Sequence, residues 1–230
     1  MGSAALVARL DELVEQFNRD AADIYLLVPT AEAGGVFVQQ WGIFTRHSRQ
    51  CWAWVVGNCP VVEVRRFIVR ENLYEEEGSD ETSHYETLAR LGVHLGLKRA
   101  EIDDATPLPS TRLALLAWES LTRNYSWAEG LAAKAVLERV GFPDLRRIRR
   151  VNWARALDLS DEHLGFFTTH IVADEIHGSG AYELLERHLR PADEAPALAA
   201  AEASLGAMAL HCNGIAAAMK ERGARLAQWS

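Results

Sequence analysis

Apolar residues recur at helical spacing along almost the whole chain. Leu6, Leu10, Leu13, Val14 and Phe17 line one face of a first predicted helix, which ends before a loop marked by Pro29, Gly34 and Gly35. A second helix runs from about residue 37 to 58. Pro60 suits the first turn of a third, which passes through Arg65, Arg66, Phe67 and Arg70 to Glu77 and stops at Gly78. A fourth carries His84, Leu88, Leu91 and His94. The strand-like runs at 24 to 28 and 67 to 69 sit inside or beside these longer patterns, so the prediction is all-α.

The second half repeats the theme. Ser110 is placed to cap a helix after Pro107 and Pro109, and residues 126 to 140 form another, stopped by Gly141-Phe142-Pro143. Asp144 opens a short basic helix through Arg155. Ser160 is the expected cap of a long helix to about Arg190, bending at Gly178 and Gly180 and ended by Pro191, and an Ala-rich helix fills 192 to 226. With no repeat, low-complexity tract or composition break, the expected architecture is one helical bundle over residues 1–230.

Composition narrows the function. Hydrophobic residues make up 49% of 230 and charged residues 24%, the balance of a chain that buries a real core. The formal charge of −8 repels phosphate backbones and anionic headgroups, so neither nucleic acid nor a membrane surface is an expected partner. Cys51, Cys59 and Cys212 are too few and too irregular for a disulfide framework, and no export signal or bilayer-length apolar run occurs, which points to the cytoplasm.

The candidate chemistry lies in the long helix after Ser160. His170, Asp174 and His177 are four and three residues apart, so they share one helical face, flanked by Phe166, Phe167, Ile171 and Val172. A solvated stripe is the ordinary fate of such residues. Apolar flanks on most sides argue instead for burial, where a charge needs a metal or a partner. A helical bundle that holds two irons draws carboxylates and imidazoles from several helices, and further candidates follow that rule. Glu75, Glu76 and Glu77 precede His84, and Glu138 stands in a small, apolar segment where its ordinary role is pairing with Lys134 one turn earlier.

Taken in order, these fragments resemble the haem-oxygenase-like diiron oxidases and oxygenases, relatives of thiaminase-like and pyrroloquinoline-quinone-synthase-like helical proteins. The resemblance spans about residues 60 to 190: Glu71-Asn72-Leu73 with the acidic run and Gly78, His84, Gly130 with Glu138, and the His170, Asp174, His177 triad. It implies a single haem-oxygenase-like bundle and the iron ligands Glu77, His84, Glu138, His170, Asp174 and His177. Glu77 is preferred to Glu76 because its interval to His84 resembles the family's. Three imidazoles and three carboxylates around two ferrous ions suit iron and leave coordination positions open.

The implied reaction is dioxygen activation through a peroxo-diferric intermediate, with Fe2+ restored by an external electron donor. The expected substrate is a small amine, amino acid or amino-heterocycle undergoing N-oxygenation, a choice drawn from the aromatic segment Trp41, Phe44, Trp52 and Trp54. Oxidative C–C cleavage or desaturation of an amino acid or aliphatic acid is the alternative for the same ligands. Arg66, Arg70 and Arg123 are candidate carboxylate binders. A thiaminase-like hydrolase would need a cysteine within residues 126 to 140, where none occurs. The family branch that makes 4-aminobenzoate from its own side chains uses a lysine where this chain has Ile148. A non-enzymatic binding protein would use the strip Arg146, Arg147, Arg149 and Arg150 to dock an acidic partner. The Ala-rich C-terminal helix suits a homodimer contact as well as its own core.

Overall fold

The computed structural model describes residues 3–74, 83–141 and 143–227, except the side chains of residues 3, 4, 170 and 172–177. Its elements are α1 (Ser3–Asp20), α2 (Asp23–Leu26), β1 (Leu27–Val28), α3 (Ala31–Asn58) and α4 (Val62–Phe67), the last running into a π-helical turn, Ile68–Leu73. Then follow α5 (His84–His94), α6 (Arg99–Asp103), α7 (Pro109–Arg123), α8 (Trp127–Arg139), α9 (Asp144–Leu157), α10 (Gly165–His188), α11 (Glu194–Glu221) and β2 (Arg225–Leu226).

Helix α8 is the axis of the bundle. It starts in a reciprocal cap, in which the Ser126 hydroxyl accepts from the Glu129 N–H and the Glu129 carboxylate accepts from the Ser126 N–H. Every residue from Gly130 to Leu137 is buried, because α3, α7, α10 and α11 all pack against it. Gly130 permits the closest approach: a Cβ there would lie 2.9 Å from a Val55 methyl and 3.4 Å from the Thr122 Cα. The apolar face predicted for α1 is real, with Leu6, Leu10, Val14 and Phe17 buried against α10 and α11.

The departures from the predicted elements have local causes. Helix α3 begins at Ala31 because the Thr30 hydroxyl caps it, accepting from the Ala33 N–H at 3.2 Å. Gly34 and Gly35 lie inside α3, where Leu95, Trp153 and Leu97 fill the space their side chains would take. Residues Leu27 and Val28 form a strand, pairing antiparallel with Leu226 and Arg225 beyond the Ala-rich helix. Neither Ser110 nor Ser160 is a cap, since α7 starts one residue earlier at Pro109 and α10 starts at Gly165 after a turn. Helix α11 packs on α1, α3, α7 and α8 of its own chain. No helix among the described residues is long and apolar enough to cross a membrane.

Candidate metal centre and its cavity

The middle of the bundle holds a cavity of about 60 Å³, lined in part by His84, Glu138, Asn72, Lys134, Arg146 and Arg149. Two of the six expected ligands are therefore brought to one space from separate helices. His84 is the first residue of α5, set there by Ser83, whose hydroxyl accepts from the Glu86 N–H. Glu138 is in the last turn of α8, and Arg146 fixes that helix end: its guanidinium donates to the Val140 carbonyl at 2.8 Å and to the Glu138 carbonyl at 3.0 Å. Past the helix, Gly141 adopts φ +71° under the Tyr25 ring, which reaches 2.6 Å from where a Cβ would stand. Only glycine suits that corner, and Tyr25 forms part of the cavity wall.

His170, Asp174 and His177 occupy three turns of α10, which packs against both α5 and α8. Their side chains, and Glu77 with Glu76 altogether, lie outside the described residues. Among the described residues no group of three or more His, Cys, Asp or Glu gathers as a metal would require. His84 and Glu138 are the described members of the expected set, and an imidazole and a carboxylate lining one cavity are donor types that suit iron.

Three features of the cavity were not foreseen. The π-helical turn Ile68–Leu73 follows α4 without a break, and such turns re-aim side chains at functional sites. Asn72, within it, is buried against the cavity and its Oδ1 has no hydrogen-bond partner. Lys134 does not pair with Glu138. It is 2% exposed, donates to the Ser48 hydroxyl at 2.8 Å, and its ammonium lies 5.0 Å from the Trp52 ring centroid. The basic strip of α9 is split: Arg147 is exposed, whereas Arg146 and Arg149 are buried and line the cavity. A solvated docking face is thereby excluded for those two. The spacing of three occurs twice in this strip, at 146/149 and 147/150, so it did not mark which pair turns inward.

The aromatic segment partly faces the cavity, since Trp41, Phe44 and Trp52 line it. Trp54 sits instead beside His47 and Arg123. Arg66, Arg70 and Arg123 are exposed, so none reaches into the cavity. All three cysteines are free and buried, and burial pushes each thiol up, that of Cys212 to about 12. Cys51 lies 3.4 Å from His47 Nδ1, a pair one helical turn apart, yet its thiol is held in the unreactive protonated form.

Comparison with known proteins agrees with this architecture. The sequence pattern of a family described as iron-containing redox enzyme matches residues 36–209, and the chain belongs to that family. A domain of unknown function with a haem oxygenase-like fold from Shewanella denitrificans superposes with a TM-score of 0.75 at 16% identity, covering 94% of this chain and 92% of that one. A CADD-like protein of unknown function from Nostoc punctiforme gives a TM-score of 0.72 at 17% identity, covering 97% and 100%. These likenesses establish the haem-oxygenase-like helical fold. Pyrroloquinoline-quinone synthase of Pseudomonas aeruginosa is 31% identical over 102 residues, which is 44% of this chain and 40% of that protein.

Proposed function

We propose that the chain is a diiron oxygenase acting on a small amine, amino acid or amino-heterocycle, with Glu77, His84, Glu138, His170, Asp174 and His177 as ligands. The observation that carries this reading is that His84 and Glu138 line one cavity, on two helices that both pack against the helix bearing His170, Asp174 and His177. Bound iron would supply the one-electron chemistry that dioxygen requires and that side chains lack. An external donor supplies electrons, and the buried unpaired cysteines suit a reducing cytoplasm.

The chain's own residues do the positioning. Arg146 holds the end of α8 and with it the Glu138 backbone, while Trp41, Phe44 and Trp52 exclude water from one side of the cavity. Lys134 and Arg149 make that side positive.

Turnover with labelled dioxygen tests the reaction type. For the iron-loaded protein given amines and amino acids, the isotope is expected on the substrate nitrogen, and zinc-loaded protein is expected to be inactive. A changed carbon skeleton with unlabelled nitrogen would move the assignment to cleavage or desaturation. Product formed without oxygen would overturn both.

A further inference from the structure

Arg146 and Arg149 are one turn apart on α9 and equally hidden, yet they are satisfied differently. Arg146 spends its donors on the carbonyls of Glu138 and Val140. Arg149 is 4% exposed, and its Nε and Nη1 have no hydrogen-bond partner. Its guanidinium carbon lies 4.8 Å from the Tyr25 ring centroid, 5.1 Å from Phe167, and 5.3 Å from both Phe37 and Trp41. Those ring faces attract the charge but do not replace two directed N–H bonds. Among the described residues no carboxylate forms an ion pair with Arg149. Neither neighbour that titrates can supply the negative charge: burial pushes the Tyr25 phenol up to about 12 and the Cys212 thiol up to about 12, so both are neutral near pH 7.

The cavity wall therefore presents a buried cation with two unused donors and, at Asn72, a buried unused acceptor. A guanidinium N–H donates a charge-assisted hydrogen bond to a carboxylate, and an amide oxygen matches an amino N–H. We propose that Arg149 anchors a substrate carboxylate while Asn72 accepts from the substrate's amino group, so that the cavity selects short-chain amino acids over simple amines. The free space of about 60 Å³ limits the ligand to a small one, since a single water occupies on the order of 10–15 Å³ on this scale. This assignment rests on the cavity being the active site and narrows its substrate class.

Thermal unfolding of the full chain, with iron counted in the same sample, tests it. β-Alanine, propionate and propylamine are the probes, at matched ionic strength. Both carboxylates should raise the midpoint, by roughly 3–5 °C per tenfold increase beyond saturation, and propylamine should not. Arg149→Met should lose the response to both acids, Asn72→Ala should weaken β-alanine alone, and the exposed control Arg66→Met should respond as the wild type. If Arg149→Met does not fold, Arg149→Lys keeps the charge without the planar guanidinium donors and should bind at least tenfold more weakly. No carboxylate response in the wild type, or an undiminished one in the Arg149 variants, would overturn the proposal and leave the guanidinium held by its rings alone. Iron bound without a carboxylate response defeats only the anchor; a response without iron defeats only the metal reading.

Discussion

Lys134 donates a 2.8 Å hydrogen bond to Ser48 rather than pairing with the Glu138 carboxylate one helical turn later. The spacing of the pair suits a surface ion pair, but α8 is surrounded by helices, so there is no solvent in which the ammonium could reach along the helix. It instead lies within 5.7 Å of the Phe44 ring and 5.0 Å of the Trp52 ring.

That placement has a measurable electrostatic consequence at His47. Burial, and secondly the Lys134 charge, hold the His47 imidazole below its ordinary range. In Lys134→Met the His47 titration followed by NMR should move up, yet stay below about 6.5 because burial is the larger cause. An unmoved titration would mean that Lys134 carries no charge in the fold.

His211 gives acid sensitivity. It is wholly buried among Trp41, Phe44 and Trp118, with Nδ1 3.2 Å from the Thr111 hydroxyl and no partner at Nε2. Burial pushes its pKa down to about 3. The unfolded chain, with an ordinary imidazole near 6.5, then binds the extra proton between these values, so stability from this group is full above pH 6.5 and falls as pH drops. The loss should be about 1.4 kcal/mol per pH unit. Denaturant unfolding should show the wild type steeper than His211→Gln by about this slope between about pH 6 and 4.5, and no such difference in slope above about pH 6.5.

Gly130→Ala tests the tight packing of α8. Alanine favours a helix by about 1 kcal/mol, but the added methyl meets the α7 backbone and Val55, an overpacking cost of about 1–3 kcal/mol. A net loss of about 1 kcal/mol is expected, a fall of roughly 2–4 °C in the unfolding midpoint. A more stable variant would show that the helices separate freely there.

Glu77 and Glu76 lie outside the described residues, and the choice between them is tested by substitution. Glu77→Ala should lose oxygen reactivity and Glu76→Ala should largely keep it, as followed by single-turnover oxygen consumption. The reverse would move the ligand by one residue without disturbing the rest of the set.

The fold was legible because helical periodicity, caps and stops repeat along the chain; Ser126 with Glu129 and the apolar stripe from Leu6 to Phe17 are local signals that the structure keeps. The meeting of His84 with Glu138 followed from a family resemblance rather than from spacing. What sequence could not disclose depends on neighbours distant along the chain. Gly34 reads as a loop marker until Leu95 and Trp153 are seen against it. Arg149 reads as one of a solvated basic strip until Tyr25 and Phe167, from elements far apart, enclose it. The π-helical turn that carries Asn72 has no periodic signature in six residues.

The most direct test of the central claim is an anaerobic ferrous titration of the full chain, counting iron per protein. Two irons per chain are expected in the wild type, with binding lost at one position in His84→Ala, Glu138→Ala, His170→Ala and His177→Ala while the helical far-UV signal persists. Two irons retained in all four variants, or none bound by the folded wild type, would contradict the account.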